Sequence, residues 1–238
     1  LKTTDRINEV LSRYGNLASD GRPILGLDAA ELARVIFDID ENCMIVPGHI
    51  WTPWFSLFGS MSGFDRIQDC FEDQTPKIFA LETGLSSDPG MNWRLSALDK
   101  FTLISNSDSH SPSKIGREAN VFDCDLNYNQ IIKSIREKDG SKLLFTAEFF
   151  PEEGKYHYDG HRNCGILFSP SESRNNDNIC PVCKRGLTIG VMHRVETLSD
   201  RPEGFVPEGA IPARHLVPLM EIIAQVLGCG VNTAKVRR

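Results

Sequence analysis

Three of the seven cysteines lie close together, at spacings typical of a metal site. Cys180 and Cys183 form a CxxC pair, and Cys164 follows His161 at HxxC spacing. Two such pairs of nitrogen and sulfur ligands are typical of a closed, tetrahedral zinc site, whereas a redox-active CxxC pair would open a helix inside a βαβ unit. We therefore predict one structural zinc ion. Its ligands are His161, Cys164, Cys180 and Cys183, and the histidines that compete with His161 are His157 and His193.

A second set of metal-compatible side chains follows predicted strands. Asp108 and His110 come after the apolar stretch 102–105, and residues i and i+2 of an extended segment point to the same side. His49 follows the apolar stretch 43–47 in the same way. Carboxylate and imidazole ligands together suit Zn²⁺, Mn²⁺ or Fe²⁺. The pattern predicts half of a hydrolytic polynuclear site, to which Glu82 is a further candidate contributor. A structural histidine and a surface Asp-x-His motif are the simpler interpretation.

Aromatic and basic residues accompany this second set. Four aromatic residues follow His49 closely, either as a hydrophobic plug or as a wall on which a base could stack: Trp51, Trp54, Phe55 and Phe58. Three basic residues on the same loop side could pair with phosphate oxygens: Arg94, Lys114 and Arg117. Our candidate substrate-binding residues are Trp51, Trp54, Arg94 and Arg117.

These side chains are positioned by a predicted α/β fold, in which short apolar strands alternate with amphipathic helices. Strands are predicted at 43–47, 78–83, 102–105 and 143–149, and helices at 4–14, 29–38, 64–71, 91–99 and 128–137. Asp28 and Asn127 are the predicted helix caps, the former in a capping box with Glu31. Such alternation predicts parallel β-α units, whose sites lie at the carboxyl ends of the strands.

The chain changes character after residue 150. Residues 151–186 are rich in Pro, Gly, Asn and Ser and hold the cysteine cluster, which is typical of a small module that needs a metal in place of a core. We assign residues 151–200 to this zinc-binding module. Residues 201–238 form a Pro/Gly linker and the start of a helical region, with a helix predicted at 215–227. Residues 1–150 form the α/β domain.

Composition narrows the class of protein. The 238 residues are 40% apolar and 24% charged, as in ordinary globular proteins. No run approaches the length of a membrane span, and the N-terminus lacks the apolar core of a signal peptide, so we expect no membrane association and a cytoplasmic location. A net charge of −6 argues against a binder that coats nucleic acid by charge alone.

Several long strings of the sequence resemble one family. They are residues 47–55 (PGHIWTPWF), 82–89 (ETGLSSDP), 105–112 (SNSDSHSP), 148–157 (EFFPEEGKYH) and 160–164 (GHRNC), followed by the CPVC knuckle and 190–194. Together they resemble endonuclease Q, a DNA-repair nuclease built on a PHP (polymerase and histidinol phosphatase) domain.

The resemblance implies a fold, a substrate and a site. The fold would be the C-terminal portion of a PHP domain, a distorted β/α barrel, followed by the zinc module and a helical tail. The substrate would be DNA, cut 5′ to a deaminated base (uracil, hypoxanthine or xanthine) or an abasic site. His49 matches the third metal-ligand motif of the family, and Asp108 and His110 match the fourth. The complete protein would hold two or three divalent metals, zinc or manganese, at this catalytic site.

One departure from the family pattern shapes the expectation. A PHP domain opens with a His-x-His motif, and no histidine precedes His49 here. We therefore expect a fragment of a longer protein, with an incomplete metal set and little activity on its own. Two alternatives stay open: a PHP phosphatase acting on a small phosphorylated metabolite, and a non-catalytic, zinc-containing DNA-binding fragment. The oligomeric state stays open too.

Overall fold

The structure is a computed structural model that describes residues 2–19 and 23–237. Its α-helices are α1 (Lys2–Leu11), α2 (Ala29–Ile39), α3 (Ile67–Phe71), α4 (Pro89–Asn92), α5 (Tyr128–Arg136), α6 (Pro170–Asn175), α7 (Val191–Leu198), α8 (Leu219–Val226) and α9 (Ala234–Arg237). Its strands are β1 (Ala80–Glu82), β2 (Thr102–Ile104), β3 (Ala119–Phe122), β4 (Leu143–Glu148), β5 (Asp159–His161), β6 (Ile166–Phe168) and β7 (Ala213–His215). Single 3₁₀ turns occur at Glu72–Lys77, Ser96–Leu98, Pro112–Lys114, Pro151–Glu153 and Arg162–Cys164.

The strands form small sheets of mixed direction. β1 pairs with β2 in parallel, and β4 pairs in parallel with β7. β3 lies antiparallel to β4, with an irregularity between Val121 and Phe122, and β5 and β6 form an antiparallel pair. The fold is therefore mixed α/β. The parallel pairs agree with the expected β-α units, but β3, β5, β6 and β7 were not predicted, because each is short and only partly buried.

The segment 43–47, predicted as a strand, does not form one. It lies beside β1 nonetheless, because the backbone N–H of Glu82 donates to Pro47 O at 3.0 Å. The N–H of Ile50 in turn donates to Glu82 O at 3.3 Å. His49 still reaches the end of β1, as expected.

The two helix predictions that rest on a predicted cap are confirmed. The Asp28 carboxylate accepts from the Glu31 N–H at 2.7 Å, and Asn127 Oδ1 accepts from the Gln130 N–H at 3.0 Å. The predicted helix 91–99 is instead split into α4 and a 3₁₀ turn, and the predicted helix 64–71 begins only at Ile67. The predicted helix 215–227 begins at Leu219, because β7 ends at His215 and Pro218 precedes the helix.

The main core joins the α/β part to the end of the cysteine-bearing segment. β1 and β2 are buried throughout, and Leu81 and Leu103 share one apolar cluster with the loop that follows His49. Val191 and Val195 of α7 have no exposed surface and belong to the same cluster. α7 therefore packs with residues before 150. No helix in the described part of the chain is long and apolar enough to cross a membrane.

Candidate active site and metal centre

His49 stands between two carboxylates. Its Nδ1 lies 3.1 Å from Glu82 Oε2, and its Nε2 lies 3.2 Å from Asp108 Oδ2. The backbone N–H of His49 also donates to the Glu82 carboxylate. The end of β1 and the loop after β2 deliver the two carboxylates to the two ring nitrogens of one imidazole, as expected for residues at strand ends. Of the predicted ligands, His49 and Asp108 are thus brought together, and Glu82 joins them.

The backbone around this group is locally constrained. His49 and Asp108 have left-handed conformations, with φ of +48° and +43°. Such angles are uncommon for non-glycine residues and concentrate at functional sites. Gly84, with φ of +74°, lies so close that a Cβ there would be 3.0 Å from His49 Cα and 3.1 Å from His49 Nδ1. The glycine is needed both for its conformation and for the space that the imidazole occupies.

His110 does not converge with the other two predicted ligands. Its side chain is 79% exposed, and its Nδ1 lies 4.0 Å from Asp108 Oδ1. The Nδ1–H donates instead to the Asp108 backbone carbonyl at 2.8 Å. The expectation that residues i and i+2 share a side holds for an extended chain, and the left-handed turn at Asp108 breaks it.

Buried carboxyls lie behind this group. Glu118 and Glu148 are 4% and 1% exposed and accept hydrogen bonds from Ser105 Oγ (2.7 Å) and Thr146 Oγ1 (2.6 Å). Burial raises the pKa of Glu118 to about 7, with a further contribution from the Glu82 charge. Burial likewise raises the pKa of Glu148 to about 8, helped by the neighbouring acidic groups. Glu148 is the last residue of β4, just as Glu82 is the last residue of β1. This position at the end of an apolar strand is the sequence feature that could have identified Glu148 as a site residue.

A second His–carboxylate contact was missed from the sequence. His215 Nε2 lies 3.1 Å from Asp88 Oδ2, and the His215 ring stacks on Phe150 with centroids 5.2 Å apart. Asp88 caps α4 by accepting from the Met91 N–H at 2.8 Å. His215 was placed in a helix at the sequence level, so its delivery by β7 could not be foreseen.

A cavity of about 510 Å³ opens directly beside His49 and Asp108. Its remaining walls are Thr52, Trp54, Phe55, Leu85, Ser86, Lys155 and Tyr156. A neighbouring cavity of about 570 Å³ shares Trp54, Lys155 and Tyr156 and extends to Arg162 and Tyr158. Lys155 Nζ lies 4.9 Å from the centroid of the Tyr156 ring, and the Trp54 ring contacts the Tyr156 ring edge to face. The group at His49 therefore faces a space lined by aromatic rings and a cation.

The structure divides the predicted substrate-binding residues. Trp54 is 40% exposed and lines both cavities. Trp51 is corrected to a core residue: it is 1% exposed, and its indole N–H donates to Asn92 Oδ1 at 2.8 Å. Trp51 and Phe58 thus form the hydrophobic plug, while Trp54 and Phe55 form the aromatic wall.

The two predicted phosphate-binding arginines make internal contacts. The Arg94 guanidinium donates to Ser199 Oγ at 3.3 Å, and its carbonyl accepts from the N–H groups of Asp200 and Arg201. Arg94 therefore fastens the segment after α7, which corrects its predicted role. Arg117 Nε–H donates to Ser107 O at 2.8 Å, so Arg117 holds the loop that carries Asp108.

The four residues of the predicted zinc site come together. The ligand atoms of His161, Cys164, Cys180 and Cys183 all lie within 4.8 Å of one another, and His161 Nδ1 is 3.5 Å from Cys183 Sγ. Metal–sulfur and metal–nitrogen bonds of about 2.3 and 2.0 Å bring tetrahedral ligands to such separations. The donor set and its spacing therefore fit a divalent metal such as zinc.

Two of the clustered thiols have pKa values that are shifted in opposite directions. Burial raises the pKa of Cys164 to about 11, with contributions from the two neighbouring thiols. Burial alone would raise the pKa of Cys180 too, but the backbone N–H groups of Cys183 and Val182 outweigh it and lower that pKa. These N–H groups come from the tight turn, in which Lys184 has φ of +61°.

The competing histidines have other partners. His157 is 4% exposed, and its Nδ1–H donates to Ser86 O at 3.1 Å. His193 Nδ1 lies 2.6 Å from the carboxylate of fully buried Asp159. Asp159 also accepts from the Gly190 N–H at 2.6 Å. His157 thus joins the cysteine-bearing segment to Ser86, His193 makes a contact within that segment, and His161 is the histidine beside the thiols.

The chain is similar in sequence to curated proteins of an archaeon and a bacterium. No protein-family model matches it. It is 33% identical over 209 residues to the uncharacterized protein MJ0043 of Methanocaldococcus jannaschii, covering 83% of this chain and 25% of that protein. It is 31% identical over 182 residues to the uncharacterized protein YqxK of Bacillus subtilis, covering 76% of this chain and 44% of that protein. The chain thus spans less than half the length of these curated relatives.

Solved structures match almost the whole chain. The crystal structure of the novel lesion-specific endonuclease PfuEndoQ from Pyrococcus furiosus has a TM-score of 0.84 and 33% identity, covering 99% of this chain and 58% of that one. A crystal structure of endonuclease Q in complex with a 27-mer duplex substrate, with an abasic lesion at the active site, has a TM-score of 0.85 and 33% identity over 98% of this chain and 58% of that one. The chain belongs to the endonuclease Q family.

Proposed function

We propose that this chain is part of a DNA-repair endonuclease that hydrolyses the phosphodiester 5′ to a deaminated base or an abasic site. The observation that carries the proposal is the His49 group, which opens into a cavity lined by Trp54, Tyr156 and Lys155. Ligands for a metal and a surface for a nucleotide are thus adjacent. The family membership and the duplex-bound relative support DNA as the partner.

The residues at His49 fit divalent metals. His49 Nε2 and the Asp108 carboxylate are donors that zinc and manganese accept, while Glu82 contacts the opposite ring nitrogen, Nδ1. Bound there, such ions would supply an activated water molecule and neutralise charge on the phosphate. The chain's own contribution is to hold the donors in place: Glu82 orients the imidazole, Gly84 makes room for it, and Arg117 holds the loop of Asp108.

The aromatic wall suits an extrahelical nucleotide. Enzymes that act at a damaged nucleotide of duplex DNA draw it out of the stack, and aromatic faces replace the lost stacking. Trp54 and Tyr156 offer such faces, and Lys155 offers a cation to the backbone phosphates. Arg162 continues the basic wall and directly follows His161, so the zinc module would help to shape the nucleotide site.

A second candidate is a zinc-containing DNA-binding fragment that does not cut. The outward position of His110 favours it, because that side chain is 79% exposed and lies away from the His49 group. The phosphatase alternative gains less support, because a small metabolite needs neither the aromatic wall nor the cysteine cluster.

Cleavage and binding assays with the whole chain separate these candidates. The substrates are an end-labelled duplex with one uracil or one abasic-site analogue, the undamaged duplex and a small phosphate ester, each with Mn²⁺. We expect only a weak product that ends 5′ to the lesion, in line with the little activity expected of this chain on its own. This product should be lost in Asp108→Asn and retained in the exposed control Asp125→Asn. Selective binding without cleavage favours the second candidate. Hydrolysis of the ester alone, with no action on DNA, refutes the proposal.

A further inference from the structure

Phe55 is displayed at the tip of the loop that follows His49. Its side chain is 96% exposed, although it is one of the largest apolar residues. Its backbone has φ of +57°, a left-handed conformation that a bulky residue rarely adopts. Both features are unfavourable for an isolated loop, so the surrounding structure must impose them.

The loop behind Phe55 is anchored in the core. Trp51 and Phe58, on either side of the tip, are each 1% exposed and stack at 4.9 Å between ring centroids. The Phe58 N–H donates to Ile50 O at 2.7 Å, which closes the loop at its base. Arg194 of α7 adds a further tie, because its Nε–H donates to Phe58 O at 2.9 Å. The base of the loop is therefore rigid.

Further hydrogen bonds fix the tip itself. The Phe55 N–H donates to Ser62 Oγ at 2.7 Å, and the Met61 N–H donates to Pro53 O at 2.9 Å. These bonds cross the loop and hold the left-handed residue in place. The ring of Phe55 is thus presented to solvent by a braced scaffold.

The position of Phe55 links it to the nucleotide cavity. The residue lines the cavity that also contains His49, Asp108 and Lys155, while most of its side chain remains outside. Its neighbour Trp54 faces the same space and the adjoining one. Projecting aromatic rings beside a cation and metal-compatible donors suit nucleic acid.

We propose that Phe55 is a wedge that enters the base stack of duplex DNA beside the nucleotide held in the cavity. The inference rests on the proposed function and identifies the residue that fills the gap left in the base stack by the displaced nucleotide. When a nucleotide leaves a duplex, the gap exposes the faces of the flanking bases, and an inserted apolar side chain covers them. Phe55 has the shape, the exposure and the rigid support for that insertion.

Equilibrium binding without divalent metal tests the wedge separately from cleavage. The whole chain is titrated, by fluorescence anisotropy, against a duplex with one tetrahydrofuran abasic analogue, the same lesion in single-stranded DNA, and the undamaged duplex. The variants are Phe55→Ala, Phe55→Trp and the control Leu126→Ala, whose side chain is also 96% exposed. A 2-aminopurine beside the lesion reports stacking in the duplex.

We expect Phe55→Ala to weaken binding of the lesion duplex about tenfold, in line with the usual strength of base–aromatic stacking. Binding of the single strand should stay unchanged, and Phe55→Trp and Leu126→Ala should match the wild type. The 2-aminopurine signal should change on binding of the wild type and not of Phe55→Ala. Thermal unfolding checks that the exposed substitution leaves the fold intact.

Two results overturn the wedge alone: an unchanged affinity of Phe55→Ala for the lesion duplex, or an equal loss on duplex and single strand. The latter would make Phe55 a general stacking residue. A wild-type chain that does not distinguish the lesion duplex from undamaged DNA refutes the proposed function, and the wedge falls with it.

Discussion

His49 Nε2 lies 3.2 Å from Asp108 Oδ2, and both residues hold left-handed backbone conformations. His49 lies in the segment between α2 and α3, and Asp108 lies in the loop after β2, so the contact joins distant parts of the chain. Two uncommon backbone conformations at one contact indicate that the orientation of these side chains is maintained at a cost in folding stability. The strain therefore predicts where substitutions will separate function from folding.

Gly84 offers the sharpest test of this packing. Gly84→Ala should destabilise the fold and weaken divalent-metal binding, because the new methyl group would press on His49. Gly116→Ala is the matched control, since φ is +73° there and +74° at Gly84, but nothing lies within 4 Å of its Cβ position. Both substitutions should lower the free energy of unfolding by about 1–2 kcal/mol, because alanine disfavours a left-handed backbone conformation. Urea unfolding and Mn²⁺ titration measure the two effects, and equal behaviour of the variants would contradict the packing argument.

Glu148 makes stability depend on pH. Its pKa is raised from 4.5 to about 8 in the folded protein, so the folded state holds the proton more tightly than the unfolded chain. The stabilisation is complete below about pH 4.5 and is lost as the pH rises through about 8. Each unit of pKa difference corresponds to about 1.4 kcal/mol, which sets an upper bound of a few kcal/mol.

Glu148→Gln keeps the shape of the protonated carboxyl and removes its titration. We expect the variant to match the wild type near pH 5 and to be the more stable protein near pH 8.5, since the amide oxygen can still accept from Thr146 Oγ1. Urea unfolding at a series of pH values measures the difference. A constant gap between the two proteins across this range would show that the pKa of the carboxyl is not raised in the folded state.

The cysteine cluster should bind one zinc per chain, measured by metal analysis of the purified protein. Cys180→Ser removes a buried ligand and should abolish retention of the metal, and a chelator should destabilise the wild type. Cys124→Ser is the control, because Cys124 lies outside the cluster. Equal zinc content in the two variants would exclude the proposed ligand set.

Trp51 and Trp54 should respond in opposite ways to replacement by alanine. Trp51→Ala opens a cavity in the core and breaks the hydrogen bond to Asn92, and should cost about 3–5 kcal/mol of stability. Trp54→Ala changes a half-exposed cavity wall and should leave unfolding nearly unchanged while weakening binding of lesion-containing DNA. Urea unfolding measures the stability of each variant, and fluorescence anisotropy measures its affinity for lesion-containing DNA. If Trp51→Ala weakened DNA binding and Trp54→Ala destabilised the fold, the nucleotide would not bind at Trp54.

The sequence was most informative where a local rule governs the outcome. The caps at Asp28 and Asn127, the buried strands β1 and β2, and the HxxC and CxxC pairs all depend on short-range geometry. Their spacing alone was enough to predict them.

The sequence was less informative where the outcome depends on distant contacts. His110 turned outward because of one left-handed residue, Glu118 gave no pattern at all, and β7 needed β4 as a partner. Trp51 and Trp54 are alike in the sequence, and only the tertiary packing buries one and exposes the other.

The contacts of Asp159 also bear on evolution and engineering. Its carboxylate meets Gly190 and His193 at the start of α7, whose Val191 and Val195 are inserted in the main core. The cysteine-bearing segment is consequently not an independent structural unit. A chimera that exchanges this segment between relatives would have to transfer Asp159, Gly190 and His193 as one inherited unit, together with the core positions that receive α7.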